Sequence, residues 1–287
     1  MLYDTFPLQT HGGESAQESV NFLYWIDTHT HTYDTSFGQD PETLVRNALD
    51  SGVDVLIQGG VDMDTVGPIR RLCEAHPGVV YATIGLHPTE VKEDYETQLK
   101  GLYEELSSAN AASAAQGGFR YVAVGEIGLD LHEDKTYFEQ QKDAFRKQLH
   151  WAKTLDLPVV LHVRNAFEEA WHILKEEQDG SLRGVFHCYG GNLAQAPRVV
   201  DLGFCFGIGG VLTFKNSILP DVVRSVPHER ILLETDAPYL APVPHRGTPN
   251  ESAYIPLIGP KLADCLEMQI AEVARFTTAN ARNLFKI

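Results

Sequence analysis

The 287-residue sequence predicts a single-domain α/β protein, a (β/α)8 TIM barrel, on three observations. Short apolar runs rich in β-forming residues alternate with longer stretches of helical period, the pattern of a parallel α/β architecture. About eight such runs occur, the number a closed barrel needs. Nearly every run ends in an ionisable or small residue, and in a barrel the carboxyl ends of the strands are where reactive groups collect.

Taken in order, residues 1–22 hold no sustained period and include Gly12-Gly13, so they are expected to form an irregular arm ahead of a barrel domain over 23–287. LYWIDTHTH, VDVLIQGG and VVYATIGLHP read as the first three strands, and YVAVGEIGLD and PVVLHVRNA as the fourth and fifth. GVFHCYGG, GFCFGIGG and ILLETDAP complete the set. Between the first two lies PETLVRNALDSG, with Pro41 placed for a first helical turn and Gly52 beyond the last. In KTYFEQQKDAFRKQLHWAKTLDL, residues Phe138, Phe145, Leu149 and Ala152 share one helical face. The patch SSANAASAAQGG before the fourth strand reads as a surface loop or a fraying helix end. No linker divides the chain.

Hydrophobic residues at 43% and charged residues at 22% exclude disorder and small disulfide scaffolds. Neither a long apolar span nor the basic, apolar start of a signal peptide occurs, and Cys73, Cys188, Cys205 and Cys265 form no C-x-x-C pair. A cytoplasmic location is therefore expected, with no membrane and no obligate protein partner. The formal charge of −16 opposes broad adhesion to nucleic acid, so a phosphate-bearing substrate must be held locally, by metal and a few cations.

His29 and His31 are two apart in a strand and point to one face, as two ligands of one ion must. Alone the pair says little, since chance supplies roughly 0.5 such pairs among this many histidines. Glu126 follows the apolar run YVAVG, where a buried carboxylate costs several kcal/mol unless a cation or hydrogen bonds compensate. His162 closes PVVL, His187 closes GVF and Asp236 follows ILLET. Together these imidazoles and carboxylates converge from five strands on one mouth, which predicts a centre of divalent metal ions, two being expected. Mixed nitrogen and oxygen ligation suits Zn²⁺ or Mn²⁺, or Mg²⁺ with enough carboxylate and water.

The string DTHTH, then GLHP, GEIGLD, LPVVLHVRNA, FHCYGG, TFKN and LLETDAPYLAP with RGTPNE resembles the TatD family of metal-dependent deoxyribonucleases, in order, from about Leu23 to the C-terminus. The resemblance implies a TIM barrel, a cluster of divalent ions and hydrolysis of DNA phosphodiester bonds, often from the 3′ end, with single-stranded DNA or 3′ ends as substrate. By position it makes His29, His31, Glu126, His162, His187 and Asp236 the metal ligands, with Glu126 bridging ions. Asp236 is either a ligand alone or also the general base for the nucleophilic water.

Asp27 and Glu234 each precede a ligand by two residues and are expected behind the ligands or within the barrel. His87 and Asp130 sit just past strand ends and are expected either to contact substrate or to stand behind the ligands, with a plain loop cap as the other reading, and Arg164, Lys215 and Arg246 are the cations expected to hold phosphate. Phe214 and Tyr239 are aromatic candidates for base stacking, while Cys188 reads as a small buried residue. The chain departs from the family at Asn165, Gly190 and Ser252, where aspartate, serine and proline are common. The alternative reading is an amidohydrolase-like enzyme cleaving an amide or ester in a small molecule. A third is a barrel that binds metal or a partner without catalysis.

Overall fold

The computed structural model describes residues 23–36, 38–132 and 134–287, and the arm expected over residues 1–22 lies outside the described residues. Strands β1 (Trp25–Thr30), β2 (Val53–Gln58), β3 (Val80–Ile84) and β4 (Tyr121–Asp130) are followed by β5 (Val159–Arg164), β6 (Gly184–Phe186), β7 (Cys205–Ile208) and β8 (Ile231–Leu233). They form one sheet in sequence order, every pair parallel. Helices α1 (Pro41–Asp50), α2 (Met63–Ala75), α3 (Tyr95–Gln116) and α4 (Phe138–Leu155) cross between strands. So do α5 (Phe167–Glu177), α6 (Ala196–Asp201) and α7 (Leu219–Ser225), and α8 (Ile255–Leu266) and α9 (Ile270–Phe285) end the chain. This is the (β/α)8 barrel that the eight runs predict. No helix among the described residues is long and apolar enough to cross a membrane.

Closure occurs between β1 and the segment after β8. Thr30 bridges Ala237, the His31 N–H donates to the Ala237 carbonyl at 2.7 Å, and the Asp236 N–H donates to the His29 carbonyl at 2.9 Å. The buried Asp27 carboxylate accepts from the Thr235 backbone N–H at 2.9 Å and from its hydroxyl at 2.6 Å. Backbone and side chain together thus bring Asp236 beside His29 and His31.

Two cores follow from the alternation of strand side chains. Ile26, Val55, Val122, Val160, Val185 and Leu232 come from six different strands yet lie in one cluster, so they fill the barrel interior. Leu284 and Phe285 of α9 join that cluster and plug the amino-terminal end, leaving the carboxyl ends for chemistry. The second core lies between strands and helices, where Phe145 and Leu149 are fully buried, each stabilising the fold by about 1.5–3 kcal/mol.

Helix α1 begins as expected, with Asp40 capping the Thr43 N–H at 3.0 Å, Pro41 in the first turn and Gly52 at φ +82° beyond the end. The SSANAASAAQ stretch is not a loop: it continues α3 to Gln116, and Asn110 within it clasps the Tyr121 N–H and carbonyl at 2.8 and 3.1 Å. Helix α4 buries Phe145, Leu149 and Ala152 on one face while Phe138 is only partly buried. That face also carries two buried glutamines. Gln148 accepts the Leu86 N–H at 2.7 Å and Gln141 the Asp130 N–H at 3.0 Å, so α4 props the ends of β3 and β4.

Candidate metal centre

Glu126 lies within β4 and is 2% exposed. Its Oε1 stands 2.6 Å from His187 Nε2, 2.9 Å from His162 Nδ1 and 3.3 Å from His87 Nε2. Its Oε2 stands 3.2 Å from His29 Nε2 and 3.7 Å from His31 Nε2. Asp236 Oδ1 is 3.7 Å from both His29 and His31, which makes the second carboxylate a neighbour of the same pair. The six residues expected as ligands are therefore within one site, although no strand supplies more than two of them.

Three of these imidazoles have a polar group behind them. Asp130 Oδ2 lies 2.8 Å from His162 Nε2, which turns Nδ1 towards Glu126. Glu234 Oε1 accepts the Cys188 backbone N–H and sits 3.8 Å from His187 Nδ1, an ion-pair distance. Tyr33 Oη, which donates to the Gly59 carbonyl at 2.9 Å, is 3.2 Å from His31 Nδ1. Two glycines make the room. A Cβ on Gly59 would lie 2.6 Å from the His29 ring and 2.8 Å from that of His31, and one on Gly207 would collide with the Glu234 carboxylate.

His87 and Asp130 take, of the roles open to them, the cap and the place behind a ligand. Residue His87 caps the short 3-10 turn Pro88–Glu90, and its Nδ1 accepts the Thr89 N–H at 3.2 Å and faces the Thr89 hydroxyl at 2.7 Å. The capping bonds turn Nε2 inwards, so His87 stands with Glu126 and His162 in the cluster. Asp130 is the buried last residue of a ten-residue strand, where it orients His162 and is closed to substrate. The register of β4 on β5 places it beside Arg164, which is exposed at the rim. Lys215 and Arg246 lie away from the cluster, in a cleft between the loops after β7 and β8. Cys188 lies past the end of β6 at φ +43°, so strand alternation does not govern it, and it belongs to none of the ligand groups. Asn165 occupies the left-handed region at φ +56°, which asparagine tolerates, and the Ser252 hydroxyl reaches Thr30 Oγ1 at 3.4 Å.

Burial opposes charge on every one of these imidazoles. At His29 and His87 it prevails and lowers the imidazole below its ordinary range. At His31 the bond to Asp236 and the charge of Glu126 outweigh it, as do Asp130 and Glu126 at His162, and both imidazoles are raised. Glu126 and Glu234 hold His187 well above its usual range. Burial likewise works against Glu126, yet His187, His87 and His29 keep its carboxyl well below the carboxylate range. Asp236 is also lowered against burial, by His31, His187 and His29. Complete burial pushes Asp27 up to about 7, against hydrogen bonds from Thr235, Ser252 and His29.

The donor set suits divalent cations. Three groups, His29 with Glu126 and His187, His29 with His31 and Asp236, and His87 with Glu126 and His162, each keep their ligand atoms within 4.8 Å of one another. His29 Nε2 and His31 Nε2 face each other at 3.2 Å, an arrangement that needs a proton or a metal between two lone pairs. Among the described residues, the ion-pair partners of Glu126 and Asp236 are histidines alone, so the side chains supply nitrogen and oxygen ligands in the mixture zinc and manganese take.

Comparison with known proteins agrees with this geometry. The family model described as TatD related DNase matches residues 26–286. The uncharacterized metal-dependent hydrolase YabD of Bacillus subtilis is 36% identical over 263 residues, 91% of this chain and 99% of that one. The protein named 3'-5' ssDNA/RNA exonuclease TatD of Pantoea ananatis is 31% identical, with 91% of this chain and 98% of that one covered. The crystal structure of the TatD homologue YjjV from Escherichia coli K12 superposes with a TM-score of 0.84 at 31% identity, covering 93% of this chain and 99% of that one. This chain belongs to the TatD related DNase family, a family of metal-dependent hydrolases.

Proposed function

We propose that the chain hydrolyses phosphodiester bonds of DNA, removing nucleotides from the 3′ end of single strands with water as the nucleophile. The observation that carries this reading is the Glu126 carboxylate shared between two sets of ligands, Oε1 against three imidazoles and Oε2 against two. His29, His31, Glu126, His162, His187 and Asp236 would hold two divalent ions, with His87 beside them. When bound, such ions polarise a phosphoryl oxygen and make water nucleophilic at neutral pH.

The protein's own groups do the rest. Asp236 keeps Oδ1 towards His29 and His31 and, with 14% of its side chain exposed, reaches solvent. Held ionised by those histidines, it accepts the proton of the attacking water at a carboxylate oxygen. As the new bond to phosphorus forms, the bond from phosphorus to the leaving sugar oxygen breaks, and that oxygen leaves as a hydroxyl, its proton balancing the one that Asp236 accepts. Tyr239 is 49% exposed with its ring 6.3 Å from that of His31, a position from which it meets a terminal base. Arg164 at the rim supplies positive charge to a phosphate. The name of the Pantoea relative supports the substrate class. The four cysteines form no disulfide, in agreement with a cytoplasmic setting.

The test is hydrolysis of end-labelled single-stranded DNA by metal-stripped protein with Mg²⁺, Mn²⁺ or Zn²⁺ restored. A ladder that shortens from the 3′ end only when metal is present is the expected result. Intact DNA under every ion, with folded and metal-loaded protein, would transfer the site to small-molecule amide or ester hydrolysis.

A further inference from the structure

Between the loops that follow β7 and β8 lies a cleft of about 310 Å³, lined in part by Phe214, Lys215, Asn216 and Arg246. Its volume is at the lower end of small-ligand sites, room for one small unit of a chain rather than a long stretch. The Arg246 guanidinium carbon sits 3.7 Å from the centre of the Phe214 ring. Stacking of this kind fixes the plane of the guanidinium and leaves the N–H groups along its edge for an anion. In a chain with 39 acidic and 23 basic residues, cations such as Arg146, Lys147, Lys153 and Arg198 pair with carboxylates. Among the described residues, Lys215 and Arg246 form no ion pair with any carboxylate, so the cleft keeps its charge for something else.

The cleft is coupled to the metal centre through the loop after β8. Tyr239 N–H donates to the Asp236 carbonyl at 2.8 Å, and the chain then runs through Leu240 to Val243, whose N–H donates to Thr213 Oγ1 at 2.9 Å. A Cβ on Gly210 would collide with the Leu240 carbonyl, so the two loops touch along their backbones. One wall of the cleft is thereby continuous with the segment bearing Asp236 and Tyr239.

We infer that this cleft is a nucleotide subsite outside the metal cluster, taking a non-scissile phosphate of a single strand on Lys215 and Arg246 and its base on the Phe214–Arg246 stack. The inference rests on the DNA reading above and adds where the strand is held beyond the bond being cut.

The experiment compares the metal-loaded wild type with K215Q/R246Q and with K261Q/R275Q, which removes the same charge from exposed positions on α8 and α9. Three substrates serve: a cleavable (dT)8, a phosphorothioate (dT)8 for binding by fluorescence anisotropy, and bis(p-nitrophenyl) phosphate, too small to span to the cleft. The expected result is a loss of about tenfold or more in (dT)8 affinity and a matching rise in KM for K215Q/R246Q alone. The slope of log affinity against log salt should also fall by about 0.7 for each phosphate that the variant no longer holds. Equal affinity, KM and salt slope in wild type and K215Q/R246Q, while DNA is still cleaved, overturns the cleft and leaves the DNA reading standing. A wild type that cleaves bis(p-nitrophenyl) phosphate but neither binds nor cleaves (dT)8 overturns both.

Discussion

On the Oε1 side of Glu126 stand His87, His162 and His187, and on its Oε2 side stand His29 and His31 with Asp236 next to them. The first side has no other carboxylate in front, but Asp130 and Glu234 lie behind two of its imidazoles. The second has Asp236 in front, while Tyr33 is the group behind His31. Negative charge thus stands on one face or the other of each imidazole set. A carboxylate behind a histidine fixes its orientation and makes it a more basic ligand, whereas one in front can itself ligate or take a proton. Under the proposed reading the two sides would divide the labour, one holding an ion and the other holding an ion and moving a proton, although His29 and His187 also form a ligand group with Glu126 across them.

Glu126→Gln attacks both sides at once and should have the largest effect, a loss of hydrolysis of at least about 10²–10³-fold. Metal content measured beside the rate should fall on both sides. Asp236→Asn should instead cut kcat by about 10²–10⁴-fold while metal on the Oε1 side survives. If every ion leaves with Asp236, the two sides are one unit and no labour is divided.

Asp130→Asn and Glu234→Gln probe the carboxylates behind the first side. Each should weaken metal binding by about 10–100-fold in a chelator competition, with kcat recovered once the ion saturates. A low kcat at saturation would show that these groups act on the reaction and not on the ligands.

Proton linkage offers a milder test, on the order of tenfold per pH unit for each proton displaced. His31, His162 and His187 are raised, so metal-free protein carries protons there that an ion must expel. Apparent affinity should therefore climb as pH rises through and beyond the ordinary histidine range, with proton release visible by calorimetry in buffers of different ionisation enthalpy. Affinity that stays flat with pH, or falls, would contradict the charge states assigned to the cluster.

Tyr33→Phe should have the smallest effect. Losing the hydroxyl near His31 Nδ1 removes one neutral hydrogen bond, a change of about 2–10-fold in metal affinity on the Oε2 side. An effect as large as that of Asp130→Asn would show that the tether's charge is immaterial.

Much of the fold was legible because strand and helix periods are local properties. The β1 and β2 runs and the Pro41 start of α1 lie where apolar alternation and capping chemistry put them. The length of α3 was not legible, since its small-residue end has little apolar face and is held by Asn110 reaching to β4. The direction of the His87 ring was not legible, because it lies three residues past β3, where no strand period applies and a side-chain cap on Thr89 sets it. The buried glutamines of α4 were passed over because a glutamine on an apolar helical face has no meaning until the loop it supports is in place. A signal was present in their spacing, seven residues apart on the face that buries Phe145.

The barrel, the pairing of His29 with His31 and the gathering of Glu126, His162, His187 and Asp236 at one mouth follow from the order of the amino acids alone, although Glu126 and His162 lie within β4 and β5 and not at their ends. Each depends on periods of two or 3.6 residues and on the cost of burying charge, which neighbouring residues set. The assembled barrel was needed to fix which nitrogen of each imidazole faces Glu126, that His87 joins the cluster, that Asp130 and Glu234 stand behind His162 and His187, and that Lys215 and Arg246 share a separate cleft. Those facts join residues tens to hundreds of positions apart, and hydrogen bonds and close packing across the barrel mouth select among orientations that local sequence leaves equal in energy.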